Sequence, residues 1–182
     1  MKLKIILLIT LFSFNSYADS YQNFSKHLKN GSYREACRDG KKIFSIGERD
    51  EKLLSLIGKA CLKADYIDTT GTLQSRLRTT SEARTNATIF SSLVLQKRLI
   101  YQFMYDNTDI STLALPVIDH PLSNTFIAIR DKNFKILKSQ PKMIEFTKDG
   151  DHYLVYIDKN DRGRIVIEIT DKNNKKTSHR YL

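Results

Sequence analysis

Apolar and polar positions change period once along this chain. From Asp19 to about Tyr105 the apolar residues recur every three or four positions, the spacing of helices that bury one face. A first short helix is expected around Tyr21, Phe24 and Leu28. A second starts at Ser32, where the spacing Ser32-x-x-Glu35 reads as a capping box, and its stripe is Tyr33, Ala36, Cys37, Gly40 and Phe44. A third starts near Asp50 and carries Leu53, Ile57, Ala60, Cys61 and Ala64. A fourth starts at Asp65, with Tyr66, Leu73 and Leu77. The fifth and longest starts near Ser81 and carries Ala83, Ala87, Phe90, Val94 and Tyr101.

Beyond Asp106 the texture is different. Asp106-Asn107-Thr108-Asp109 breaks the helical pattern, and residues 107–124, with Pro116 and Pro121, read as a linker. Short apolar runs then follow at Phe126–Ile129, Phe134–Leu137, Met143–Phe146, Tyr153–Ile157 and Ile165–Ile169, with a last short strand expected at Thr177–Tyr181. Asp149-Gly150 and Arg162-Gly163 supply the positive φ that tight hairpins need. The expectation is an α+β chain: antiparallel helical hairpins over 19–106, a linker over 107–124, and an antiparallel meander of four to six strands over 125–182. Such a sheet is too small to stand alone, and the fifth helix is expected to cover it.

The first eighteen residues have another purpose. Lys2 and Lys4 precede an apolar run from Ile5 to Phe14, broken only by Thr10 and Ser13, and Ser16 and Ala18 offer small residues at the positions a signal peptidase reads. The chain is expected to be exported, with cleavage between Ala18 and Asp19, into what reads as a bacterial periplasm. The run is about half the roughly twenty residues a membrane span takes, and no span is expected after cleavage. Losing two lysines and no acid takes the formal charge from +10 to +8. That balance allows peripheral contact with anionic surfaces. The cations are spread along the chain, densest at Lys172, Lys175, Lys176 and Arg180, and an exported chain is not expected to meet nucleic acid.

Export changes the meaning of Cys37 and Cys61. Two cysteines in an oxidising compartment read as a disulfide; two buried thiols or a metal pair are the alternatives. They stand about equally far from the expected turn at Gly47–Arg49, each on the inner stripe of its helix. In an antiparallel pair such positions face each other, so a bond would clamp the second helix to the third.

A weak internal repeat runs through the helical part. Gly31-Ser32-Tyr33-Arg34-Glu35-Ala36 has a counterpart in Ala64-Asp65-Tyr66-Ile67-Asp68-Thr69, and Gly40 and Phe44 then map onto Leu73 and Leu77. Each copy joins a turn, a capping residue, an aromatic and a helix. The pattern resembles tetratricopeptide-type repeats over about residues 21–105, although a plain array of helical hairpins has the same texture. The resemblance implies a stacked helical scaffold whose concave face binds a peptide or protein. Tyr33, Tyr66 and Tyr101 are the candidate partner-binding residues.

Candidate chemistry is sparse. Asp158-Lys159-Asn160-Asp161-Arg162-Gly163 has the oxygens and glycine of a calcium loop, but Arg162 puts a cation at the fifth ligand position and Glu168 falls one residue short of the bidentate acid; a hairpin turn explains the segment better. His27, His120, His152 and His179 have no second histidine at ligand spacing, and Asp119-His120 with Ser123 lacks a third group to orient it. No catalytic residue, metal or cofactor is assigned, and no enzymatic activity is expected. The expected function is a protein-binding scaffold module of the cell envelope, such as an accessory piece of a flagellar motor or secretion apparatus. The alternative is an inhibitor or immunity protein acting on a toxin or cell-wall hydrolase.

Overall fold

A computed structural model of the chain describes residues 19–181. Residues 1–18, read above as an export signal ending at Ala18, lie outside the described residues. The order is α1 (19–29), α2 (Tyr33–Ser45), α3 (Glu51–Lys63), α4 (Ile67–Gln74), α5 (Ser81–Asp106) and α6 (Pro121–Arg130), then β1 (Lys135–Ser139), β2 (Lys142–Lys148), β3 (Asp151–Asp158), β4 (Arg164–Thr170) and β5 (Lys176–Tyr181). This is an α+β arrangement with its strands at the C-terminal end. The chain divides into two compact units, and the division falls between Ala87 and Thr88, inside α5.

In the first unit the core is made by Phe24, Ala36, Cys37, Ile43, Leu54, Ile57, Cys61, Ile67 and Leu73, all buried. They come from successive helices at helical spacing, as the apolar period requires. Asp50 starts α3 by accepting the N–H groups of Lys52 and Leu53 at 2.7 and 3.0 Å, which satisfies two donors that the helix itself leaves unpaired. The capping box read at Ser32 does not form: Ser32 is the N-cap residue of α2, but its side chain makes no capping hydrogen bond. Its backbone is engaged in ending α1, where Gly31 turns at φ 71° and Ser32 N–H reaches back to His27 O at 2.9 Å. The same device ends α3. Asp65 turns at φ 64° and Tyr66 N–H reaches Cys61 O at 2.9 Å. Helix α4 therefore begins at Ile67, with Tyr66 as its N-cap, rather than at Asp65.

The second unit contains the remainder of α5, α6 and a five-stranded sheet in the order β1-β2-β3-β4-β5, antiparallel throughout. Ile144, Val155 and Ile167 lie side by side across β2, β3 and β4 and are fully buried. Both α5 and α6 reach this sheet. Lys142 at the start of β2 donates from Nζ to Phe103 O near the end of α5 at 3.1 Å, and Asn124 of α6 donates to the Tyr153 hydroxyl at 3.0 Å. At one edge, β1 has all five residues exposed and a bulge between Ile136 and Lys138.

Phe126–Ile129, expected as a strand, is helical. Pro121 occupies the first turn of α6, where a missing N–H costs nothing, and His120 caps the helix by accepting Leu122 N–H at Nδ1. Leu122, Phe126 and Ile129 then form a buried stripe at spacings of four and three. The expected linker 107–124 accordingly contains the start of a helix.

Candidate functional site

Helix α2 has two opposed faces. Ala36, Cys37, Gly40 and Ile43 point into the core, while Arg34, Arg38, Lys41, Lys42 and Ser45 lie on the solvent side. The second set repeats every three to four residues, so it forms one basic stripe along the helix. A groove of about 480 Å³ is lined by those five residues and by Tyr66 from the N-terminus of α4. A second groove of about 380 Å³ shares Lys41 and Ser45 and is closed by Phe44 on α2 and by Asp68, Thr69, Thr72 and Leu73 on α4. The two form one trough between α2 and α4. Tyr66 is 42% exposed at its wall.

The cations in this trough are poorly neutralised. Lys42 Nζ lies 3.3 Å from the buried carboxylate of Asp39, which also holds His27 Nδ1 at 2.9 Å. Arg34, Arg38 and Lys41 make no ion pair among the described residues. Close like charges raise the local potential and attract anions.

The sheet surface differs. There Arg180 is gripped by Asp158 and Asp161, and Asp161 also accepts from Arg164 at 3.2 Å. The Asp158 partnership holds that carboxyl below its usual range and raises Arg180 above its own. Glu145 accepts from Lys135 and His152, each at 3.3 Å. Tyr156 donates to Glu168 at 2.7 Å, which pushes the phenol up. These charges are spent on one another. The segment weighed as a calcium loop is a turn, with Gly163 N–H bonded to Asp158 O at 3.0 Å and the two aspartates directed to arginines.

Buried and bridging groups elsewhere have structural tasks. Glu51 accepts from the N–H groups of Arg78, Thr79 and Thr80 and from the Thr79 hydroxyl, which pins the turn before α5. The Thr79 hydroxyl and these N–H groups bring the Glu51 carboxyl down to about 2. Tyr21 donates to Glu48 at 2.6 Å, tying α1 to the α2–α3 turn, and its phenol rises to about 12 in consequence. Ser123 is fully buried and accepts Ile118 N–H at 3.0 Å, and His120 is a helix cap. Ser123 Oγ is thus turned to Ile118 N–H and His120 Nδ1 to Leu122 N–H.

Cys37 and Cys61 are joined by a disulfide, with Cα atoms 4.7 Å apart and both residues fully buried. Of the three tyrosines singled out as partner-binding, Tyr66 stands in the trough. Tyr33 is exposed on α2 but does not line it. Tyr101 belongs to the second unit and stacks on Tyr105 with ring centroids 5.3 Å apart. Sequence reasoning missed Arg34, Arg38 and Lys41. Their signal was present as a stripe opposite the apolar face of α2. Comparison of the chain with protein-family models, with curated proteins and with solved structures gave no match.

Proposed function

We propose that this chain is a protein-binding scaffold module of the periplasm, and that the trough between α2 and α4 is where its partner docks. The observation that carries the reading is the trough itself: an open concavity on a helical framework, lined by Arg34, Arg38 and Lys41, which make no ion pair among the described residues, by Lys42 and by one exposed aromatic. An exposed tyrosine beside arginines is the composition that protein interfaces favour.

The repeat-like reading has support in the matched turns. Gly31 and Asp65 are both left-handed, and each is followed by an N–H that reaches back to the preceding helix. A repeat of that kind places α2 and α4 in equivalent positions, so their facing surfaces form a shared groove. The periplasmic assignment is supported by the buried disulfide, which persists in an oxidising compartment. No described helix is long and apolar enough to cross a membrane.

The test is photo-crosslinking in intact cells from a benzoylphenylalanine placed at Tyr66, with a second one at Lys172 as control. A discrete protein adduct from position 66, absent from position 172 and lost when Arg38 is changed to Glu, is the expected result. Absence of any protein adduct from position 66 overturns the reading.

A further inference from the structure

The geometry points to the class of partner: we infer that the trough binds an extended segment of another protein with acidic residues at alternate positions. This rests on the trough being a protein-docking site.

The argument is one of charge and spacing. Arg34, Arg38 and Lys42 follow one another at four-residue steps along α2. At 1.5 Å per residue, each step advances about 6 Å along the helix axis. An extended peptide advances about 6.6 Å between side chains on the same face. A segment of the form acid-x-acid-x-acid, laid along α2, therefore brings one carboxylate to each cation in turn, and the mismatch of under 1 Å per step is within side-chain reach. Two of the facing groups are guanidiniums, whose paired N–H donors match a carboxylate in a bidentate fork. Lys41 lies between the steps and adds to the field without needing its own partner.

Three further features fit this occupant. Asp39 is buried and pairs with Lys42 from behind, so that rung is positioned but partly neutralised, and Arg34 and Arg38 carry most of the attraction. Tyr66 offers a ring on the opposite wall, on which the intervening residues of the peptide can lie. The adjoining groove keeps Lys41 among these cations, carries the carboxylate of Asp68 and is walled by Phe44, Thr72 and Leu73, so it suits an apolar side chain following the acidic stretch better than a further acid.

The experiment uses the exported chain with its disulfide intact and two fluorescent peptides of equal composition. One alternates Glu and Gly and ends in Phe. The other carries the same glutamates in a block. Anisotropy titrations are run at low salt, where the screening length exceeds about 10 Å. The alternating peptide is expected to bind about fivefold more tightly than the block isomer. Arg34→Gln and Arg38→Gln should each weaken it about fivefold, in the range of an exposed charge pair, and Lys172→Gln should leave it unchanged.

Equal binding of the two isomers overturns the inference, because the trough would then read charge without spacing. So does equal sensitivity to Lys172→Gln. Tight binding to phosphatidylglycerol vesicles that depends on Arg34 and Arg38, with no binding to either peptide, also overturns it and marks a membrane-surface site. The docking proposal fails separately. If position 66 cross-links to a protein that the alternating peptide does not displace, docking stands and the acidic-ligand inference falls; if position 66 cross-links to no protein, both fall.

Discussion

A Cβ added at Gly40 would lie 2.6 Å from Ile57 Cγ2 and 2.8 Å from its Cγ1. Helices α2 and α3 meet at this pair. The glycine is required by what faces it, since its backbone is ordinary helix. Replacing it with alanine gains about 1 kcal/mol of helix propensity but forces the helices or Ile57 to move, at about 1–3 kcal/mol. Gly40→Ala is expected to lower stability in chemical denaturation. The sharper test is Gly40→Ala with Ile57→Ala, which should be less destabilised than the sum of the single changes by about 1 kcal/mol. Strict additivity would mean that the contact is not the reason for the glycine.

The disulfide lies beside that contact. Cys37 and Cys61, separated by 24 residues, close a loop that restricts the unfolded chain by about 3 kcal/mol in the chain-entropy model. Cys37→Ala with Cys61→Ala should lose about that much in denaturant titrations. Peptide mapping of the unreduced protein should find one Cys37–Cys61 cross-link. Two alkylatable thiols without prior reduction would show that the clamp does not form.

Glu51 gives a pH dependence with a defined sign. Its carboxyl titrates at about 2 in the folded chain because it accepts from the Thr79 hydroxyl and from the N–H groups of Arg78, Thr79 and Thr80, against an ordinary value of 4.5. A depressed carboxyl stabilises fully above its unfolded value and loses that contribution as the pH falls through its folded value. Glu51→Gln should therefore lower the thermal midpoint most at neutral pH. Its difference from the unaltered chain should shrink between about pH 4.5 and pH 2. A constant difference across that range would place the effect elsewhere.

Lys142 is the opposite case. It is buried, its ammonium lies 4.7 Å from the centre of the Phe103 ring, and it also donates to Phe103 O and to Asn107 Oδ1. Burial lowers its pKa below the ordinary 10.5. The folded chain thus releases this proton before the unfolded chain does, so this group's contribution to stability rises with pH up to about 10.5. Lys142→Met keeps an unbranched side chain and removes the donors. It should cost about 1–3 kcal/mol at neutral pH through the unpaired carbonyl and should abolish the alkaline rise. A stable, pH-insensitive difference would argue against a buried charged lysine.

The helical half was legible because its information is local. The stripe of each helix and the acid at Asp50 lie within a few residues of one another. The hairpin turns at Gly150 and Gly163 were legible for the same reason, and both glycines have positive φ. Phe126–Ile129 was not, since four apolar residues in a row carry no period. What decided it lay outside the run, at Pro121 and His120, where a proline that reads as a break also suits a first helical turn. The trough was less legible still. Arg34, Arg38 and Lys41 look like a solvated face until Tyr66 and α4 turn that face into one wall of a groove. In the densest basic cluster by sequence the converse holds: Arg180 is already occupied by Asp158 and Asp161.

Strand β1 offers its outer edge to solvent with Ile136 and Leu137 about half exposed. Lys135 and Lys138 bracket those two residues. A second chain laying a strand there would gain backbone bonds and bury four apolar side chains, but it would also crowd four ammonium groups together. Two lysines far in sequence from the α2–α4 trough thus oppose self-pairing at this edge. Acetylating them would remove the repulsion and leave a sticky seam, and turbidity after lysine acetylation, absent when Ile136 and Leu137 are made threonine, would measure how much of the chain's dispersal in water depends on them.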